Sequence, residues 1–249
     1  MARKILVMNS QRWADNKQLL LDFGRALARK SLRVVIVDCS NAEVMDINAP
    51  YGRSSLDIVD HILNKCRLKQ TLQQDKQPSL FIARLGSIDR LKAQNLSNEY
   101  IATSISQLET IFDYCLIAYD DACPIPITDN SYEYILFTAC TWQSVEQAQS
   151  ILNVFSKCSL MQGVVALCSH KLGRQKDMDV NVFFEHILAV PLGTVHQLRG
   201  RLDQFARQEI VDNCLDIVAS NIHNNTTDIV IGKGNRMVVK RYTNRYYYQ

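Results

Sequence analysis

The 249-residue sequence predicts an α/β domain, a doubly wound and mostly parallel sheet of about seven strands with helices on both faces. Three observations carry that prediction. Short apolar runs alternate with longer segments of helical period. The runs are rich in Val, Ile, Leu and aromatic residues, and they show little polar alternation. Strands covered on both faces have this character, because neither side of the sheet meets water.

In order, the strand runs are residues 5–8, 34–37, 80–83, 115–119, 134–138, 164–167 and 187–190. Between them, residues 16–30 place Leu19, Leu20, Phe23, Leu27 and Ala28 on one helical stripe. Residues 55–65 do the same with Leu56, Ile58, Val59, Ile62 and Leu63, and Ser54 or Ser55 is available as N-cap. Residues 97–112 carry Ile101, Ile105, Leu108 and Ile111; residues 144–155 carry Val145, Ala148, Ile151, Leu152 and Phe155. Each passage is long enough for a right-handed crossover. Residues 194–223 read as a closing helix. After Asn224-Asn225 two β-branched runs, 229–231 and 237–239, flank a Gly/Asn-rich turn, which is a hairpin signal. The expected division is therefore an α/β domain over 1–224 and a hairpin appendage with a Tyr-rich basic tail over 225–249.

Composition narrows the class. Apolar residues make up 47% and charged residues 21%, a globular balance. A net charge of +3 is no nucleic-acid signature, although Lys233, Arg236, Lys240, Arg241 and Arg245 form a local basic patch. The eight cysteines include no C-x-x-C pair and none at zinc-finger spacing from a histidine. Cys39, Cys115, Cys140 and Cys168 sit in or beside apolar runs and read as buried free thiols. The chain enters Ile5-Leu6-Val7-Met8 at once, too short a run for a signal peptide or a membrane span. A cytoplasmic protein is expected, with recruitment to the inner face of the cell membrane through a partner.

Doubly wound proteins bind ligands beyond the carboxyl ends of the strands, above all after the first. That turn runs here from Asn9 through Ser10, Gln11, Arg12, Trp13, Ala14, Asp15, Asn16 and Lys17 to Gln18. A phosphate loop needs glycines so that backbone N–H groups converge on the anion, a Lys for the β/γ-phosphates and a Ser or Thr for Mg²⁺. The turn has no glycine, Trp13 would intrude on a phosphate, and Gln18 is a poor substitute for a hydroxyl.

The layout nonetheless resembles the MinD/ParA group of P-loop ATPases, which includes the tyrosine kinases of exopolysaccharide export. Ser10 through Leu19 occupies the place of the family's Ser-Gly-Lys-Gly-Gly-Val-Gly-Lys-Thr-Thr, with Arg12 at its signature Lys and Lys17 near its Walker Lys. "ALARKSLRVVIVDCS" resembles the helix and strand ending in the family's "LLIDAD", Asp38 matching the first Asp and Ser40 replacing the second. "SSLDIVDHIL", "LFIARLGS" and "FDYCLIAYDDACPIPITDN" resemble its "GLxDVL", "LxVLPAG" and "YDxVIIDTPPVxxVTDA". "GVVALC" is similar to "GVVLN", and "ILAVPLGTVHQL" is a fainter echo of the MinD branch's "IP-x-D" segment. In consistent order, the likeness runs from residue 4 to about residue 170.

What the resemblance implies is an ATPase fold, and the departures from it decide the expected function. The Asp near the Mg²⁺ sphere aligns with Ala118, while Asp120 and Asp121 lie two and three residues further on. Glycines, hydroxyl and carboxylate are all missing, and each such loss typically costs about 10²-fold or more in rate. No bound cofactor or metal is therefore expected. Ser10, Arg12, Lys17, Gln18, Asp38, Ala118 and Asp120 are read as a vestigial site. Asp38 itself reads as a vestigial helix cap or a surface charge, and Asp120, Asp121 and Asp129 as solvated carboxylates.

The five histidines have no nucleophile context such as G-x-S-x-G. The tail is the other candidate. Exopolysaccharide tyrosine kinases carry C-terminal tyrosine clusters that are autophosphorylated, and Arg241, Tyr242, Arg245, Tyr246, Tyr247 and Tyr248 look like one. A docking tail is an equal reading, since Tyr and Arg are favoured at interfaces. The expectation is a catalytically inactive scaffold that contacts a protein partner of an envelope-associated machine, and that forms a homodimer across the old nucleotide face. The alternatives are a divergent ATP- and Mg²⁺-using ATPase or tyrosine kinase working through Arg12 and Lys17, and, more remotely, a nucleic-acid binder using the basic patch.

Overall fold

A computed structural model describes residues 2–10, 17–39, 56–86, 88–119, 132–155, 162–170, 178–187, 189–198, 204–233 and 236–241. The chain forms two compact units, one of residues 1–134 with 158–160 and one of residues 135–157 with 161–249. Eight strands belong to one mostly parallel sheet, and two more make a separate hairpin.

The first unit carries β1 (Arg3–Asn9), α1 (Lys17–Ala28), β2 (Val34–Asp38), α2 (Ile58–Ile62), a 3₁₀ turn (Leu68–Thr71), β3 (Leu72–Gln74), β4 (Leu80–Arg84), α3 (Ile88–Ala93), α4 (Asn98–Leu108) and β5 (Tyr114–Ala118). Its strand order is β3-β4-β2-β5-β1. β1 and β2 both pair in parallel with β5, β2 pairs in parallel with β4, and β3 adds antiparallel to β4. Ile5–Val7, Val34–Val37 and Cys115–Ala118 are fully buried, as strands covered on both faces require. Gly24 lets α1 lie close to the sheet: a Cβ there would stand 2.8 Å from Ile36 Cδ1 and 3.1 Å from Leu80 Cδ1.

β6 (Tyr132–Ala139) begins in the first unit and runs into the second. There follow α5 (Trp142–Phe155), β7 (Gln162–His170), α6 (Val180–His186), β8 (Val190–Leu198), α7 (Gln204–Asn224), β9 (Asp228–Lys233) and β10 (Arg236–Arg241). The order here is β6-β7-β8, with β7 and β8 parallel, and β9 pairs antiparallel with β10. Gly193 sits at φ +140°, and a Cβ on it would meet Val218 Cγ2 at 2.7 Å, so its bare backbone is what admits α7 against β8.

Several sequence expectations are corrected. No strand covers 187–190: α6 ends at His186, and β8 starts only at Val190. Residues 194–198 are strand and not the start of a closing helix, which begins at Gln204. Pro191 and Gly193 interrupt the apolar run of this strand, and a register shift at Val164/Val165 accommodates them. The N-cap of α2 is Asp57, not Ser54 or Ser55: its carboxylate accepts from Asp60 N at 2.9 Å, and Asp57 N donates to the Asp60 carboxylate at 3.2 Å. β3 and α3 were not expected, because a three-residue edge strand and a six-residue helix carry too few apolar positions to show a period.

The six described cysteines, Cys39, Cys66, Cys115, Cys140, Cys168 and Cys214, are free, and all but Cys66 are buried. Burial pushes the Cys115 thiol up to about 12, with Glu109 adding to the rise and Lys4 opposing it. Cys115 should therefore resist a thiol reagent at about pH 8 in the native protein and react once denatured. Mass spectrometry of labelled peptides checks this, and rapid native labelling would contradict the burial.

Candidate functional site

The carboxyl edge of the first unit's sheet sets Asp38 and Ala118 side by side on neighbouring strands. β2 ends at Asp38, which is in register with Arg84 at the end of β4 and with Ala118 at the end of β5; Ala118 is also in register with Val7. Ala118 is fully buried. Asp38 is buried as well, at 5% exposure, so the expectation of a surface charge is corrected. Its backbone is stitched onward: Leu85 N donates to Asp38 O at 3.0 Å, and Val59 N donates to Leu85 O at 3.2 Å. Beside it, Tyr119 N donates to Val7 O at 3.0 Å.

β1 leads to Ser10, a half-buried bend, and α1 is described from Lys17. Gln18 is engaged within its own helix. Its amide donates to Asp22 Oδ1 at 2.7 Å, four residues on along α1. Asp22 in turn accepts from Arg25 at 2.9 Å, and Arg25 forks onto both carboxylate oxygens of Asp75 at 2.8 and 2.9 Å. The position that resembles the Mg²⁺ hydroxyl thus ends a four-residue polar chain.

A charged group that the sequence reading passed over lies just past β4. Gly86 adopts φ +110°, and a Cβ on it would stand 2.9 Å from Asp57 Oδ2. Arg90 donates to Asp57 at 2.7 Å and to Asp60, and Lys65 lies 3.8 Å from Asp60. Burial pushes the Asp57 carboxyl above its ordinary value, against the pull of the Asp60 N–H and of Arg90. Asp60 is held below its own, chiefly by the hydrogen bond from Arg90. The signal was present in D-x-x-D, a capping-box spacing, but nothing local announced Arg90 as the partner.

Arg12, Ser40, Asp120, Asp121, Asp129, Tyr242, Arg245, Tyr246, Tyr247 and Tyr248 lie outside the described residues, as do Ser54 and Ser55. Arg241 closes β10, in register with Asp228. Among the described residues no group of His, Cys, Asp or Glu could hold a metal ion. No described helix is long and apolar enough to cross a membrane.

This arrangement is a MinD/ParA-like P-loop ATPase fold. The chain is similar to MinD in a MinC:MinD cell division complex from Aquifex aeolicus, with TM-score 0.65, 16% identity, and coverage of 97% of this chain and 99% of that one. It is similar to cobyrinic acid a,c-diamide synthase from Mycobacterium smegmatis with bound ADP and magnesium, with TM-score 0.64, 15% identity, and coverage of 91% and 98%. A ParA family ATPase from Chlorobium tepidum TLS gives TM-score 0.57, 15% identity, and coverage of 91% and 94%. At such identities the likeness is one of fold. No protein-family model matches the sequence, and no curated protein matches it significantly.

Proposed function

We propose that this chain is a catalytically inactive member of the MinD/ParA-like fold that works as a regulatory or scaffolding subunit through protein contacts. The observation that carries the reading is Ala118. It brings a methyl group, and no oxygen, to the buried end of β5 between Asp38 and Val7 in register. A Mg²⁺ ion takes oxygen ligands in octahedral geometry, so the loss of a carboxylate here is not made good by an alanine. Gln18, already bonded to Asp22, supplies no hydroxyl either. The residues at these positions do not fit a Mg²⁺–nucleotide, and no catalytic step is assigned.

The partner in this reading belongs to a bacterial envelope-associated machine such as polysaccharide synthesis or export, a pilus, a flagellum or the division apparatus. It meets the chain in the cytoplasm or at the inner membrane face, and self-association across the former nucleotide face accompanies it. The MinD neighbour in its complex with MinC supports protein contact as a use of this fold. Calorimetry with Mg²⁺-ATP tests the reading: no binding heat is expected up to about millimolar nucleotide. Micromolar affinity with release of phosphate would sink it.

One observation favours a second reading, a divergent ATPase or tyrosine kinase. Lys17 is the first residue of α1, and a helix N-terminus favours an anion. Phosphotyrosine on Tyr242 or Tyr246–Tyr248 after incubation with ATP, lost in Lys17→Ala, would establish it. An unmodified tail would remove it.

A further inference from the structure

We propose that the outer edge of β10 is a docking site for an extended acidic segment of a protein partner, which enters by strand addition. The assignment rests on the reading that the chain works through protein contacts, and it names where and what kind of segment binds.

The backbone geometry comes first. β10 pairs with β9, and among the described residues no strand lies on its other edge. Lys233 is in register with Arg236, with two residues between them. A two-residue hairpin connection closes on a hydrogen-bonded pair, and antiparallel pairs then alternate. Ile231 with Val238 and Ile229 with Lys240 are accordingly the hydrogen-bonded pairs. Gly232 with Met237, Val230 with Val239 and Asp228 with Arg241 are the others. The N–H and C=O groups of Met237, Val239 and Arg241 are thereby directed away from β9, toward the unpaired edge. Val239 is 56% exposed, while its register partner Val230 is 3% exposed. An exposed strand edge of this kind is a ready template for another chain.

Charge selects the occupant. β9 and β10 carry Lys233, Arg236, Lys240 and Arg241 against the single acid Asp228. A second copy is a poor occupant, because it would bring another Arg236, Lys240 and Arg241 to the same edge. Nucleic acid is a poor one too, because Met237, Val238 and Val239 fill the middle of the strand where further cations would be needed. An extended segment alternating acidic and β-branched residues satisfies both the open backbone and the charge.

The test uses the full chain and a fluorescein-labelled decapeptide of alternating Glu and Val, read by anisotropy. Binding that weakens with added salt is expected, with slowed amide exchange at Met237, Val239 and Arg241. Val239→Pro removes one outward N–H without touching the ladder to β9, and should weaken binding about tenfold. The same decapeptide with alternate amides N-methylated should also bind about tenfold less tightly, a comparison that needs no variant of the protein. Equal binding of the methylated peptide, tighter binding of a single-stranded oligonucleotide of equal charge, or no binding of the decapeptide would each overturn strand addition. Those outcomes leave the scaffold reading in place, whereas Mg²⁺-ATP turnover would sink that reading and not this one.

Discussion

Replacing Arg25 with Met is expected to lower the free energy of unfolding by about 3–5 kcal/mol, the usual consequence of stripping one partner from a buried ion pair. Arg25 is the hub of the chain that starts at Gln18. It bonds Asp22 within α1 and forks onto Asp75, in the turn between β3 and β4. Asp22 and Asp75 are both buried, so neither recovers its hydration when the guanidinium leaves. Met preserves most of the aliphatic volume, which confines the loss to charge and hydrogen bonding. Gln18→Thr, which restores the family's hydroxyl, loses only one exposed-side amide bond to Asp22 and should cost about 1 kcal/mol.

The pH dependence separates this account from simple loss of packing. Burial alone would raise the Asp75 carboxyl, but Arg25 and the N–H groups of Gln77 and Lys76 hold it below its ordinary value. A lowered folded-state pKa contributes stability that is present above the unfolded value of about 4 and is lost as pH falls through the folded value. In Arg25→Met only those N–H groups still oppose the burial, and Asp75 takes up its proton at higher pH. The deficit of the variant should be largest near neutrality and shrink as pH falls below about 5. Urea titrations followed by circular dichroism at several pH values would show it; a deficit independent of pH would mean that the guanidinium matters only as volume.

The alternation of apolar runs with helical stripes made the sheet of the first unit legible, since Ile5–Val7, Val34–Val37 and Cys115–Ala118 meet no water on either face. Where an element carries polar or special residues for tertiary reasons, the pattern failed. β8 needs Gly193 because α7 approaches it there through Val218, and that approach is invisible locally. At the resembling site the positions were legible, because Asp38 and Ala118 end adjacent strands. The partners of its flanks were not: Gln18 with Asp22 is a local spacing, but Arg25 with Asp75 spans 50 residues. Likewise Arg90 reaches Asp57 across 33 residues through the turn at Gly86. Long-range charge pairing depends on the register of β2 and β4, which composition and period do not encode.

Asn221→Leu is expected to cost about 3–5 kcal/mol and to loosen the C-terminal hairpin first. Asn221 is 1% exposed on the last turn of α7, and all of its amide positions are used. Its nitrogen donates to Leu192 O at 2.9 Å and to Asp228 O at 2.6 Å, and its oxygen accepts from Thr226 Oγ1 at 2.6 Å and from Asp228 N at 3.0 Å. One side chain therefore joins β8, α7 and the first residue of β9. Leucine fills the volume and leaves the Leu192 and Asp228 carbonyls without that donor, at about 1–3 kcal/mol for each group left unsatisfied. Thr194 and His196 bond Val230 O at 2.6 and 2.8 Å from β8, so β9 keeps a second hold and local opening should precede global unfolding. Amide exchange should accelerate across β9 and β10 while β1, β2 and β5 stay protected. Asn221→Asp sharpens the test: the shape is kept, but an ionised carboxylate faces two carbonyl oxygens. Its folded-state pKa must rise, so the variant should gain stability as pH falls through that raised value. If Asn221→Leu costs less than about 1 kcal/mol and the hairpin amides exchange as before, the hairpin is held by Thr194 and His196 alone.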